Sequence, residues 1–285
     1  MKIAIVGAAG LVGAELTKQL SDQHQVLALR HSNLDVTNAQ SVRSFMLAER
    51  PGLIINCAVL GVDECEEKPD LAEAVNVQGP KNLAEGAAMI EADLVHFSTN
   101  YVFDGLPGTD HFYTIEDSPT PTSVYGQTKL DGERAAIRAT NRCYIIRTSW
   151  VFGAGKESFF SSTPASLKAA RKIRAISDVW ASATYVRDLA ARVIEIVSRG
   201  HYSTYHVVNG DLCSQLDFAL EASSILKVST PTDLIESVKL SELQLPAQRP
   251  RYTPLSCVSS RNLALPPLRS WRMALAEYIK ESLNP

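Results

Sequence analysis

No stretch of this sequence approaches the roughly 20 consecutive apolar residues that a membrane-spanning helix needs. Met1 to Val6 runs straight into a strand pattern, without the basic and apolar regions of a secretory signal, so the expectation is a cytoplasmic protein with no membrane partner. There is no surplus of positive charge. Lys and Arg total 28 against 31 Asp and Glu, a net charge of -3, and the basic residues are dispersed, which removes the footprint expected of a nucleic-acid binder. The five cysteines, Cys57, Cys65, Cys143, Cys213 and Cys257, are odd in number and form no C-x-x-C pair. They read as small buried hydrophobes in a reducing compartment and not as a disulfide framework. The six histidines show no H-E-x-x-H or comparable spacing, so no metal is assigned. Internal repeats and low-complexity tails are also missing.

What is present is a chain of 285 residues, 45% hydrophobic and 21% charged, enough for one large α/β domain with a smaller cap. Lys2-Ile3-Ala4-Ile5-Val6 is a strand pattern, and Gly7-Ala8-Ala9-Gly10-Leu11-Val12-Gly13 leads from it into helical spacing at Leu11, Leu16 and Leu20. Glycines at Gly7, Gly10 and Gly13 let a backbone approach a pyrophosphate, whose charge the helix N-terminus around Leu11 and Val12 stabilises. This βα unit predicts dinucleotide binding. The second strand reads over 25–30 and ends in Arg30, with His31 and Ser32 beyond, where an NAD-specific fold places an acid. A cation and a hydroxyl there suit a ribose 2′-phosphate, so NADPH is expected over NADH. Asp35 and Val36 follow at the adenine edge, and Thr37 with Gln40 predicts a capping box.

Buried strands then read at 53–58, 94–98 and 143–147, separated by helical stretches, giving a βαβαβαβαβ order. Right-handed crossovers make that a doubly wound parallel sheet. Cys57 and Ala58 leave the third strand over the cofactor, and Ser98-Thr99-Asn100-Tyr101 leaves the fourth at the same carboxyl edge. A helical stretch over 69–87 carries Asn76 on an apolar face, where it needs a partner. Beyond Trp150 the pattern loosens into a mixed α/β part with an amphipathic helix over 185–198, a strand at 205–208 and a closing helix over 271–279. The expected division is residues 1–150 plus about 168–202 for the NAD(P)-binding domain, and about 151–167 plus 203–285 for the substrate-binding domain.

The chemistry centres on Tyr125 and Lys129, four residues apart on one helix face. A phenol holds its proton to about pH 10, so a neighbouring ammonium and a bound cofactor are what would make it a usable acid near neutrality. By itself the spacing is unspecific.

Taken together, several motifs resemble the dTDP-4-dehydrorhamnose reductase family of the extended short-chain dehydrogenase/reductase superfamily, with its Rossmann-like fold. They are Gly7-x-x-Gly10-x-x-Gly13, Leu34-Asp35-Val36, Asn56-Cys57-Ala58 with Asp63 and Glu66, Ser98 to Gly105, and Val124-Tyr125-Gly126-x-x-Lys129-Leu130-x-Gly132-Glu133. Further on come Arg147 to Gly153, Ser182-x-Thr184-Tyr185, Tyr205-His206 and Ala247-x-Arg249-Pro250. The resemblance implies reduction of a nucleotide-linked 4-keto-6-deoxysugar by NAD(P)H, with Thr99, Tyr125 and Lys129 as the catalytic set. It also implies Asn100, Tyr101, Trp150 and Arg249 on the sugar, and it admits a homodimer. In that family magnesium can sit at a dimer interface; Glu15 matches one such carboxylate, although a surface glutamate is the simpler reading. Asn100 stands where the family usually has aspartate, and Ala181 and Ala183 replace a glycine and a proline. These departures fall on the sugar side. Two other readings share the fold: a non-catalytic NADP(H)-binding subunit similar to the regulatory β subunit of methionine adenosyltransferase, and a sugar-nucleotide dehydratase or epimerase. Asn100-Tyr101 in place of an Asp-Glu pair disfavours the dehydratase.

Overall fold

The computed structural model describes residues 1–106, 111–256 and 263–283; Cys257 lies outside them. The first half of the chain alternates through β1 (Lys2–Val6), α1 (Leu11–Leu20), β2 (Gln25–Leu29), α2 (Ala39–Glu49) and β3 (Leu53–Asn56). It continues with α3 (Val62–Glu67), α4 (Pro69–Glu73), α5 (Gly79–Met89), β4 (Asp93–Thr99), α6 (Val124–Ala139) and β5 (Cys143–Thr148). After these come β6 (Val151–Phe152), α7 (Phe159–Lys168), β7 (Ile173–Ile176), β8 (Trp180–Ala181), β9 (Thr184–Tyr185), α8 (Val186–Arg199) and β10 (Thr204–His206). The remainder holds α9 (Gln215–Ile225), α10 (Pro231–Leu234), β11 (Ile235–Val238), β12 (Tyr252–Thr253) and α11 (Trp271–Leu283).

Six parallel strands make the main sheet in the order β10-β5-β4-β3-β1-β2. Strands β1, β3, β4 and β5 are buried along almost their whole length because helices cover both faces, as parallel sheets require. On one face Ile3, Ile5, Ile55, Val95 and Ile146 pack under Leu16 of α1 and Leu189, Val193 and Ile196 of α8. On the other, Ala4, Val6, Ile54 and Leu94 meet Val42 and Met46 of α2 and Leu83 of α5. Each of the Ile, Leu, Val and Met side chains among them contributes about 1.5–3 kcal/mol by leaving water. A separate aromatic core, with Phe152, Phe160, Phe218, Trp271 and Tyr278, lies in the C-terminal half.

Several local expectations shift. Strand β2 stops at Leu29, so Arg30 is the first residue past its end. Asn38, not Thr37, caps α2, its Oδ1 accepting the Ser41 N–H at 2.9 Å. Thr37 is drawn away because its own N–H and hydroxyl both donate to Asp35, at 2.9 and 2.8 Å. The single helix expected over 69–87 is interrupted by a π-helical turn, Ala74–Gln78. At that turn α6 crosses so closely that a Cβ on Gly132 would stand 2.1 Å from the Asn76 carbonyl oxygen. The division drawn near 168 and 203 also meets contrary pairings. Strand β10 joins the main sheet beside β5, and β7 pairs instead with β11. Three-residue strands and long crossovers leave no spacing in the sequence that fixes a partner.

Because β1 sends the chain to β2 on one side and β3 lies on the other, the strand order reverses between β1 and β3. The carboxyl edge there is where open α/β sheets take ligands.

Candidate active site

At that reversal a cleft of about 360 Å³ opens, lined by Gly7, Gly10, Arg30, Asp35, Val36, Cys57 and Ala58 among others. Gly7 has φ +77, and a Cβ there would lie 2.8 Å from the Ala58 nitrogen, so a side chain would break the turn twice over. At Gly13 a Cβ would meet the Gly7 oxygen at 2.4 Å, which is how α1 packs onto the turn. Gly10 precedes α1 with no side-chain cap, leaving the first helical N–H groups for an anion. Leu11 packs against the C-terminal aromatic core and Val12 against both that core and the one beneath the main sheet, so what they offer the cleft is backbone. The bare glycine cradle, the uncapped helix start and the exposed Arg30 beside His31 fit a dinucleotide phosphate group. Asp35 is held below the usual carboxylate range, first by the Thr37 hydroxyl. Burial pushes the Cys57 thiol up to about 12, which makes it inert. Lys156, from the loop after β6, also lines this cleft; no spacing in the sequence marks it.

Helix α6 delivers the phenol and the ammonium. Its start is fixed by the Ser123 hydroxyl, which accepts the Gly126 N–H at 3.1 Å, and by Glu66 of α3, which accepts the Val124 N–H at 2.8 Å. Thr99, the last residue of β4, stands beside the Tyr125 phenol, and this contact favours the phenolate. Burial opposes it and is the larger effect, raising the phenol above its ordinary value. The expected lowering by Lys129 is not what the geometry provides. The Lys129 ammonium donates to the Phe97 carbonyl at 2.6 Å, and the charges that move Tyr125 are those of Tyr101 and Cys65. Burial brings Lys129 itself down to about 8, against the pull of Glu133 one turn on. Glu133 is bound by Arg147 of β5 through two bonds, at 2.9 and 2.7 Å, and takes the Ser98 hydroxyl as well. This buried pair ties α6 to both central strands beneath the phenol.

Asn76 finds the partner it needed. Its Oδ1 accepts the Leu60 N–H at 2.9 Å and its amide donates to Thr128 at 3.3 Å, so it joins the loop after β3 to α6.

On the far side, one turn of 3₁₀ helix, Asn100–Val102, presents Tyr101, whose ring meets that of Tyr125 edge-on at 5.5 Å. Tyr101 is raised by burial, partly offset by the charge of the Arg249 guanidinium beside it. Arg249 grips Asp63 of α3 through two bonds of 2.6 Å, and that bond holds Asp63 below the usual carboxylate range. Arg249 therefore bridges two segments, and also lines a second cleft of about 370 Å³ with Asp104 and Leu240. Asn100 is buried and donates to Thr253 at 2.7 Å. Trp150, at φ +40, stacks on Phe160 at 4.8 Å between the sheet edge and the C-terminal core. Thr99, Asn100, Tyr101, Tyr125 and Arg249 are thus linked by contact, while Trp150 and the glycine cleft flank them. Among the described residues no group of His, Cys, Asp and Glu gathers as metal ligands, and no helix is long and apolar enough to cross a membrane.

The sequence matches the family described as the RmlD substrate binding domain over residues 1–284. It is 37% identical over 282 residues to the dTDP-4-dehydrorhamnose reductase of Mycolicibacterium smegmatis, covering 98% of this chain and 85% of that one. A probable dTDP-4,6-dihydroxy-2-methyloxan-3-one 4-ketoreductase of Streptomyces antibioticus is 34% identical, with 99% and 96% covered. Among solved structures, dTDP-4-dehydrorhamnose reductase from Bacillus anthracis in complex with NADP superposes with a TM-score of 0.92 at 30% identity, covering 99% of each chain. The chain belongs to the dTDP-4-dehydrorhamnose reductase family, NAD(P)H-dependent oxidoreductases of the extended short-chain dehydrogenase/reductase superfamily.

Proposed function

We propose that this chain reduces the 4-keto group of a dTDP-linked 6-deoxysugar, dTDP-4-dehydrorhamnose or a close relative, using NADPH. The observation that carries the reading is the meeting of Thr99 and the Tyr125 phenol at the carboxyl edge, next to the glycine cleft. When bound, the reduced nicotinamide supplies a hydride. As the C4 carbonyl carbon gains it, the C=O electron pair moves to oxygen, and Tyr125 delivers the phenolic proton there. Thr99 gives that oxygen its second hydrogen bond. Lys129, already buried and charged beneath the site, holds the ribose side of the cofactor. Gly7, Gly10 and the start of α1 take the pyrophosphate, and Arg30 pairs with a 2′-phosphate. Tyr101, Trp150, Asn100 and Arg249 bound the sugar side.

The test is NADPH consumption, followed by its near-ultraviolet absorbance, with dTDP-4-dehydrorhamnose generated in place. Tyr125→Phe should lower kcat by roughly 10²–10⁴-fold. Wild-type protein that oxidises no NADPH above this control, across several 4-keto sugars, would sink the proposal and leave the role of a binding subunit.

A further inference from the structure

Every other residue lining the glycine cleft falls within residues 6–75; Lys156 reaches it from the loop after β6. The fold does not need this side chain. It is exposed, and among the described residues no carboxylate, carbonyl or hydroxyl takes its ammonium. The loop, by contrast, is firmly anchored. Its ends are stitched together, since Trp150 stacks on Phe160 at 4.8 Å and the Gly153 N–H donates to the Ser161 hydroxyl at 3.2 Å. Ser158 caps α7, its hydroxyl accepting the Ser161 N–H at 3.2 Å. Between these anchors the chain turns at Ala154 and Gly155, where Gly155 takes φ +107, a conformation other residues rarely adopt. Lys156 follows directly.

The base of the loop rests on α1. A Cβ on Gly153 would stand 3.6 Å from Cδ1 of Leu11, the first residue of that helix, and 2.4 Å from Cγ1 of Val186, the first residue of α8. The loop thus approaches the cleft over the uncapped start of α1, whereas Arg30 enters it from the end of β2, the outermost strand of the sheet.

We propose that Lys156 is a further cofactor-binding residue, its ammonium pairing with the pyrophosphate that Gly7, Gly10 and the first turn of α1 cradle from the other side. The inference rests on the glycine cleft holding NADPH, as in the proposed function, and not on the sugar. A pyrophosphate bears negative charge on both phosphates, while a helix N-terminus supplies the equivalent of only about half a positive charge. Arg30 is assigned to the 2′-phosphate, and the carboxylate in the cleft, Asp35, is occupied by the Thr37 N–H and hydroxyl. Lys156 supplies the missing counter-charge. A lysine suits the task, because its compact ammonium on a flexible stem follows a phosphate without a fixed bidentate geometry.

Direct binding tests this without turnover. Kd for NADPH and Kd for NADH, followed by the fluorescence of the reduced nicotinamide, should both rise about tenfold in Lys156→Met, because both cofactors carry the pyrophosphate. Lys156→Arg should keep most of the affinity, and the gap should narrow as salt is raised. Unliganded Lys156→Met should unfold at the wild-type temperature, while the rise in that temperature on adding NADPH should shrink. A loss confined to NADPH would move Lys156 to the 2′-phosphate, and a loss confined to dTDP, titrated in parallel, would move it to the sugar nucleotide. Either result overturns the proposal, as do unchanged constants for both cofactors. If Lys156→Met weakens both cofactors while wild-type protein reduces no 4-keto sugar, the reductase reading fails and the pyrophosphate contact stands.

Discussion

The two sides of the site are built differently. On the side proposed for the cofactor the decisive residues are near neighbours in sequence: Gly7, Gly10 and Gly13 form one turn, and Arg30 to Thr37 forms the next. On the side proposed for the sugar the decisive contacts join residues far apart. Asn100 to Thr253 spans 153 positions, and Asp63 to Arg249 spans 186. The first side is set by backbone sterics, which tolerate almost nothing. The second is set by side-chain hydrogen bonds and an ion pair, which can be exchanged one at a time.

That contrast can be broken most forcefully at Gly13. Gly13→Ala puts a Cβ 2.4 Å from the Gly7 oxygen and 2.8 Å from the Ala8 Cα. Overpacking of this kind should cost roughly 2–4 kcal/mol and weaken NADPH binding, as denaturant unfolding and cofactor titration would show. Wild-type values would mean the turn yields more easily than its geometry indicates. Next in size is Lys129→Met. Lys129 carries a charge whose folded pKa, about 8, lies below its ordinary 10.5. Between those values the unfolded chain binds more protons, so its contribution to stability rises with pH and is lost as pH falls through 8. At pH 7 the unliganded Lys129→Met protein should therefore be more stable than wild type by roughly 1–3 kcal/mol. The gap should close as pH climbs past 10.5; a gap independent of pH would assign it to packing.

On the sugar side the effects should be smaller and selective. Asp63→Asn leaves the half-exposed Arg249 link without its ion pair, costing up to about 1 kcal/mol of stability. KM for the sugar should rise several-fold with KM for NADPH unmoved, whereas equal changes in both would erase the distinction between the two sides. Smallest of all is Arg30→Ala, an exposed cation. It should raise KM for NADPH several-fold more than for NADH, and parallel changes would remove Arg30 from the 2′-phosphate.

The same contrast explains what was legible in the sequence. The glycine turn could be read because its requirement is local, and the parallel sheet because short apolar stretches in its strands alternate with helical spacing. Tyr125 and Thr99 stand together because a helix and a strand end deliver them to one sheet edge. The direction of Lys129 was not readable: helix spacing places its Cα, but only the completed sheet puts the Phe97 carbonyl within its reach. Lys156, the Thr253 anchor and the Asp63 partner of Arg249 depend on crossovers that leave no periodic trace. The same holds for β10, a three-residue strand recruited to the main sheet from beyond α8.

The two glycines of α6 carry a further consequence. A Cβ on Gly126 would meet the Tyr101 carbonyl oxygen at 2.2 Å, as one on Gly132 would meet that of Asn76 at 2.1 Å. The helix bearing Tyr125 is thereby docked main chain against main chain at two points on either side of Lys129. Its depth does not depend on which side chains occupy the sugar cleft. Under the proposed chemistry this arrangement would let the pocket walls change while Tyr125 keeps its coordinates, so substrate range could drift without a loss of chemistry along the way.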